Sequence, residues 1–311
     1  MTISVCMGTY NGEKYIEEQL YSILHQTKQP DEVILCDDGS VDRTVEIIQN
    51  FISENQLEGV WKLYQNAENK GYPSNFYYAS GLCTKDVVFL ADQDDIWAEK
   101  KLERMCKVLE DNEDVMVVSC KFGLINAEGD DIRTIMKPTK STGTGQLRRV
   151  TIKDVFYKFE WPGMVIAYRN EWYRQEICES KKVPHDFMIC AREAEEKVFY
   201  QMDDSLAFHR RHSNNVGGEE HRLTRLLSKS RKVREIEDYL RSLDGFKREE
   251  ALRTREGQEE LRRKMQIMQT RLETLKSGKL TKVLINAIRN CKNVRLVTVI
   301  CDVLIVKQNA N

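Results

Sequence analysis

Asp92, Asp94 and Asp95 place three carboxylates within four residues, directly behind the apolar run Val87-Val88-Phe89-Leu90-Ala91 and ahead of Ile96-Trp97. Two aspartates one residue apart can offer oxygens to one hard divalent cation, and such a cation commonly also holds substrate phosphates. Three further polar stretches follow apolar runs: Thr9-Tyr10-Asn11-Gly12, Asp37-Asp38-Gly39-Ser40 and Asn69-Lys70-Gly71. Each site also has a plain structural reading. Asp95 can cap a helix starting near Ala98, Asp-Asp-Gly-Ser has the composition of a turn, and a single Lys70 is an ordinary surface lysine.

The elements that must position these residues follow from periodicity. Residues 3–7 read as a strand, and Tyr15, Ile16, Gln19, Leu20, Ile23 and Leu24 recur at helical spacing. A strand is expected over 32–36, then a helix over 43–51 capped by Asp42. A third strand over 60–65 precedes a helix over 73–82, and the fourth strand is the run before Asp92. Strand alternating with helix predicts a mostly parallel sheet covered on both faces. Three of the four strands then deliver polar residues at their C-terminal ends, where ligands bind in an open α/β sheet. Beyond lie a helix over 98–110, a strand over 115–119, a polar loop-like segment over 126–150, and Trp161-Pro162-Gly163-Met164 leading an apolar run to Tyr168. A helix-like stretch over 171–180 and Pro184-His185-Asp186 at the head of a helix to about Glu196 come next, then extended chain over 198–208.

The chain has 311 residues, 41% hydrophobic and 31% charged, with nine cysteines and no CxxC pair. That points to reduced thiols in the cytosol rather than a zinc or redox motif. The N-terminus enters a strand without a basic leader, and no apolar run approaches the ~20 residues of a membrane span. Residues 1–218 hold 26 Lys and Arg against 36 Asp and Glu, and residues 219–311 hold 22 against 13, so the net charges are −10 and +9. This split predicts an acidic domain over 1–218, with halves 1–120 and 121–218, and a basic helical region over 219–311. Residues 219–276 read as a helical hairpin with a solvated charged face. The last candidate helix, 294–306, puts Arg295, Thr298 and Asp302 on one narrow face. It is either a core-packing helix or strand, or a membrane-surface or oligomer contact assisted by Lys279, Lys282, Arg289, Lys292, Arg295 and Lys307.

The four polar stretches, taken in order, look like the motif series of inverting family 2 glycosyltransferases of the GT-A fold, and their separations fit over residues 1–120. His185-Asp186 and Arg210-Arg211-His212-Ser213-Asn214-Asn215-Val216 extend the match. Together they resemble the bacterial rhamnosyltransferase-like branch that builds surface polysaccharides. Two departures are visible. Phe187-Met188-Ile189 stand where large aromatics usually follow the Asp, and Phe208-His209 and Ser213 flank a motif that commonly has Tyr before its Arg and Gly after its His. The resemblance implies an α/β fold of GT-A type, with a mostly parallel sheet flanked by helices as a Rossmann-like nucleotide-binding half, followed by a helical C-terminal region.

The resemblance also implies roles. Thr9, Tyr10, Asp37, Asp38, Lys70, Asp92 and Gln93 would contact the nucleotide-sugar donor. Asp38 can accept hydrogen bonds from a base N–H, while Asp37 would either touch the ribose or hold the loop. Asp92, Asp94 and His212 would hold Mn²⁺ or Mg²⁺, offsetting charge on the departing nucleoside diphosphate. Asp186 would be the general base that deprotonates the acceptor hydroxyl; its plain alternative is a helix cap. Asp95, Trp97, Trp161, Gly163, His185 and Arg210 would line the acceptor or sugar pocket, with a packed core Trp as the alternative for Trp161.

The expected protein is a cytosolic enzyme, peripheral on the inner face of the cytoplasmic membrane. It would extend a lipid-linked cell-surface glycan from dTDP-L-rhamnose, or alternatively from a UDP-hexose. No nucleic-acid partner is expected, and a homodimer through the C-terminal helices is a second use for the tail. A nucleotidyltransferase would carry basic residues in its early phosphate loop, and Gly8-Thr9-Tyr10-Asn11-Gly12 has none. Against a non-catalytic glycan-assembly protein stand the intact Asp92, Asp94 and Asp186.

Overall fold

The computed structural model of the chain describes residues 1–131, 143–177, 180, 182–212, 228–289 and 296–308. Two compact units are present: residues 1–151 with 160–211, and residues 152–159 with 212–311. The expected boundary at residue 218 lies outside the described residues. The expected boundary at residue 120 falls inside a strand of the first unit.

In the first unit β1 (Ile3–Thr9), α1 (Ile16–Leu24), β2 (Glu32–Asp37), α2 (Thr44–Glu54), β3 (Trp61–Gln65), α3 (Tyr72–Leu82) and β4 (Val87–Ala91) alternate. β2 and β4 are buried along their whole length, which is why they read as unbroken apolar runs. Gly71 initiates α3 at φ 80°, a left-handed value suited to glycine, and a proline follows in the first turn. The remaining elements are β5 (Ile96–Trp97), α4 (Lys101–Asp111), β6 (Val117–Ile125), β7 (Leu147–Arg149), then α5 (Ile152–Lys158) of the second unit, β8 (Ile166–Arg169), α6 (Asn170–Glu176), α7 (His185–Glu196) and β9 (Phe199–Arg210).

The strand order is β3-β2-β1-β4-β8-β6-β9-β5, with β7 also on β9. The first four strands are mutually parallel, as the alternation predicts. β8 then runs antiparallel to both β4 and β6, so the second half of the sheet is mixed. Thr9 lies opposite Asp37, and Met7 opposite Ala91. Thr9, Asp37 and the residue after Ala91, Asp92, therefore emerge along one edge, where the strand order reverses between β1 and its two neighbours.

The second unit is helical. α8 (Lys229–Arg248) and α9 (Arg255–Ser277) form the hairpin, followed by α10 (Leu280–Arg289) and α11 (Leu296–Gln308). Ser228 and Thr254 cap α8 and α9 through their side-chain oxygens. The Tyr239 hydroxyl donates to the Phe156 carbonyl and Phe156 packs edge-on against Phe246, which fixes α5 to the hairpin. The last element is a helix, not a strand. It buries Cys301, Ile305 and Val306, and Asp302 accepts two hydrogen bonds from the Arg271 guanidinium. Asp302 thus faces inward and not along a polar outer stripe; Arg295 lies outside the described residues. Among the described residues no helix is long and apolar enough to cross a membrane.

Candidate active site

The loops at the ends of β1 and β2 are held by their own acids. The Thr9 hydroxyl donates to Asp37 at 2.9 Å. The Gly39 and Ser40 amides and the Ser40 hydroxyl donate to the same carboxylate. Of the two roles open to Asp37, this geometry is loop-holding. Asp38 accepts from the Lys70 amide at 2.8 Å, the Gly71 amide at 2.9 Å and the Asn66 side chain at 2.9 Å. It therefore organises the turn that starts α3, a job the sequence reading assigned to nothing. The Lys70 ammonium is exposed and stands 4.8 Å from the Tyr78 ring centroid.

Gln93 is a clamp. Its side-chain oxygen accepts from the Tyr10 amide at 2.9 Å, and its nitrogen donates to the Tyr10 carbonyl at 3.0 Å. Both polar atoms expected to meet the donor are thus engaged by the loop after β1. Gly12 permits the approach, because a Cβ there would collide with the Gln93 side-chain oxygen.

Arg210, expected in the sugar pocket, is fully buried as a brace. Its guanidinium donates to the Asp94 carbonyl at 2.9 Å, the Ala127 carbonyl at 3.1 Å and the Glu18 carboxylate. It also lies over the Tyr15 ring. Asp95 is equally enclosed, taking the Arg210 amide at 2.9 Å, with His209 Nδ1 at 3.0 Å from the same oxygen. Trp97 is buried beneath the Lys101 ammonium, 3.4 Å from the ring centroid. Trp161 is buried and meets Phe199 edge-on, the packed-core alternative. His185 is buried too, stacked on Phe76 at 4.0 Å, and neither ring nitrogen has a hydrogen-bond partner among the described residues. Burial pulls its pKa down to about 3, so it stays neutral. Asp95, Trp97, Trp161, His185 and Arg210, all expected at the acceptor or sugar pocket, are each buried in this structure.

Burial perturbs two acids strongly. The Asp92 carboxyl is held well above the ordinary carboxylate range by burial, then by the charges of Asp95, Asp94 and Asp186; Lys101 pulls the other way. Asp186, the second residue of α7, is pushed up to about 6 by burial, against the pull of the Phe187, Asp186 and Gly163 amides. The Phe187 amide donates to it at 2.7 Å. Gly163 also leaves room for His185, whose Nε2 would lie 3.1 Å from a Cβ at that position. Tyr72 joins this group, since Asp186 and Asp92 both act on its phenol. Tyr72 and Lys101 were not singled out in the sequence; no motif marks them, and only the fold brings them in.

The carboxylates repelling Asp92 are the surroundings a divalent cation relieves. Among the described residues no group of three or more His, Cys, Asp or Glu side chains is arranged to hold a metal ion. Asp92 with Asp94 fits the other mode, one or two carboxylates completed by phosphate oxygens and water. His212, the third residue expected at the metal, is buried and belongs to the second unit. Residues Ser213 to Val216 of its motif lie outside the described residues.

Comparison with known proteins agrees with this architecture. Residues 4–179 match the family described as "Glycosyl transferase family 2". The putative glycosyltransferase EpsE of Bacillus subtilis is 34% identical over 116 residues, 37% of this chain and 41% of that protein. An uncharacterized glycosyltransferase of Haemophilus influenzae is 31% identical over 138 residues, 44% of this chain and 54% of that one. The chain thus spans about half the length of these curated relatives or less. The dTDP-rhamnosyl transferase RfbG of Shigella flexneri is 24% identical over 225 residues, 68% of this chain and 73% of that one. Among solved structures, S. aureus TarS with UDP-GlcNAc has a TM-score of 0.58 at 16% identity, covering 100% of this chain and 91% of that one. The mannosyltransferase PcManGT of Pyrobaculum calidifontis, with GDP-Man and Mn²⁺, also scores 0.58 at 16% identity, covering 99% and 79%. These structures share the fold. With its family match covering more than half its length, the chain belongs to glycosyl transferase family 2.

Proposed function

We propose that the first unit transfers a sugar from a nucleotide-sugar donor to an acceptor hydroxyl with inversion, and that Asp186 is the general base. The observation that carries this reading is a buried carboxyl with its pKa raised to about 6, near the acids that follow β4. A base is most effective when its pKa lies near the working pH. Asp92 and Asp94 would hold Mn²⁺ or Mg²⁺ together with the donor diphosphate. When bound, that cation stabilises the charge of the departing nucleoside diphosphate. Thr9, Tyr10, Asp38 and Lys70 shape the nucleotide end through the loops described above.

The donor we favour is dTDP-L-rhamnose, supported by the resemblance to RfbG over two thirds of this chain. A UDP-hexose is the second reading, favoured by the relative WfgD of Escherichia coli, named for UDP-Glc, and by the fold shared with TarS. The same WfgD name, with its diphosphoundecaprenol substrate, supports a lipid-linked glycan acceptor, and such an acceptor would put the chain on the inner face of the cytoplasmic membrane. The exposed apolar residues of α10 and α11 support contact with that surface; a homodimer through those helices is the competing use.

A panel of nucleotide sugars scored by thermal shift, with and without Mn²⁺, tests the reading, because binding to the folded state raises apparent stability. Asp186→Asn should keep the shift and lose transfer, whereas Asp94→Asn should lose both. A protein that binds no nucleotide sugar, or an Asp186→Asn variant that transfers at the parent rate, would refute it.

A further inference from the structure

Tyr72 opens α3 with its ring 47% exposed. The ring meets His185 edge-on at 5.4 Å and Phe76 at 5.7 Å between centroids. Since His185 stacks on Phe76, this aromatic group sets Tyr72 beside α7, whose next residue is Asp186. The phenol lies close enough to Asp186 and Asp92 for the charges of both to act on it, and a phenol is a neutral hydrogen-bond donor at pH 7. That hydroxyl makes no hydrogen bond among the described residues.

The position has a geometric meaning that rests on the proposed function. A diphosphate held at Asp92 is joined to the sugar being transferred, and the acceptor hydroxyl activated by Asp186 attacks that same sugar. The sugar would therefore occupy the space between both acids, within reach of the Tyr72 phenol on which both act. We propose that Tyr72 is the residue that reads the transferred sugar of the donor, its ring covering an apolar sugar face and its hydroxyl donating to a sugar oxygen. An aromatic face suits the C–H side of a pyranose. A site built to hydrogen-bond a substrate oxygen discriminates far more sharply than an apolar wall. Tyr72 would thus set which sugar is accepted, while the loops after β1 and β2 serve the nucleotide.

Calorimetric titration of the full chain in Mn²⁺ tests this with matched pairs of ligands, UDP against UDP-glucose and UDP-GlcNAc, and dTDP against dTDP-L-rhamnose. Tyr72→Ala should weaken the nucleotide sugar by ~10-fold or more while leaving the bare nucleoside diphosphate within ~2-fold, on the scale of one lost aromatic contact and hydrogen bond. Tyr72→Phe keeps the ring and should lose ~2–10-fold for the nucleotide sugar alone, as for one hydrogen bond. Unchanged nucleotide-sugar affinity in both variants overturns the proposal. An equal loss for the bare diphosphate overturns it too, placing Tyr72 at the nucleotide or in the fold. A parent protein that binds the diphosphates but none of the sugars removes the functional reading first, and this inference with it.

Discussion

The ammonium of Lys101 donates to the carbonyl oxygen of Met164, tying the first turn of α4 to the 3₁₀ turn Gly163–Val165 ahead of β8. Both residues are fully buried. Burial draws the lysine down to about 7, opposed by Cys120, Asp95 and Asp92. The same turn carries the Gly163 amide that acts on Asp186, so Lys101 braces the segment supporting the proposed base.

Replacing that brace should be felt in stability. Lys101→Met removes the donor and strands the Met164 carbonyl in a dry site, which costs about 1–3 kcal/mol. In a domain of this size each kcal/mol lowers Tm by about 2–4 °C. Thermal unfolding followed by circular dichroism measures it. An unchanged Tm would show that the bond contributes nothing net.

Asp186 makes opposite demands on stability and activity. Its pKa rises from 3.8 to about 6 on folding, so the folded state holds the proton more tightly. That favourable contribution is complete below pH 3.8 and is lost as pH rises through about 6, leaving the native state about 3 kcal/mol worse off at neutral pH. As the proposed base Asp186 must be ionised, so kcat should rise with pH through about 6 and level above it. Asp186→Asn should therefore melt higher than the parent at pH 7 while transferring ~10²–10⁴-fold more slowly. A flat rate profile between pH 5 and 8 would place the base elsewhere.

The Gln93 clamp predicts a non-additive pair. In Gly12→Ala the new methyl collides with the Gln93 amide, the end of a flexible chain that can swing out only by giving up both Tyr10 bonds. Two hydrogen bonds at about 0.5–1.5 kcal/mol each set the expected loss. Gln93→Ala should lose a similar amount, and the double variant little more than either alone. Donor affinity should fall in parallel, since the loop after β1 is then uncoupled from Asp92. Full additivity would break the proposed link.

How much of this was legible in the sequence depends on what each residue touches. β1, β2 and β4 were readable because strands buried on both faces leave apolar runs, and their terminal acids sit beside those runs in the chain. The mixed half of the sheet was not, because β5 has two residues and its partner β9 begins about a hundred positions later. Arg210 and Asp94 are 116 residues apart, so no local pattern announces that one holds the other's carbonyl. His185 and Trp161 look alike in sequence whether they line a pocket or pack behind it; only the fold shows them buried against Phe76 and Phe199. Lys101 and Tyr72 look like ordinary helix-start residues until the fold brings Asp92 near both and Asp186 near Tyr72.

The final prediction concerns the outer face of the second unit. Leu284, Ile285 and Ile288 on α10 are 46, 50 and 74% exposed, and Ile300 and Leu304 on α11 are 49 and 41% exposed. Lys279, Lys282 and Lys307 are exposed on the same helices or at their ends. The one acid in residues 279–308, Asp302, is turned inward onto Arg271. Apolar side chains among uncompensated lysines suit an anionic lipid surface, where each Lys contributes ~1 kcal/mol and salt weakens the attraction. The parent protein should therefore sediment with phosphatidylglycerol vesicles at low salt and be released as salt rises. Deleting residues 277–311 is a poor test, because it also removes the Asp302 pair and the buried Ile305 and Val306. Ile285→Glu with Ile288→Glu changes only exposed positions, so Tm and donor hydrolysis should hold while vesicle binding disappears. If the double variant still sediments with vesicles, the lipid contact lies elsewhere. If instead the parent ignores vesicles and the variant converts a dimer to a monomer in analytical ultracentrifugation, the face is an interface between copies of this chain.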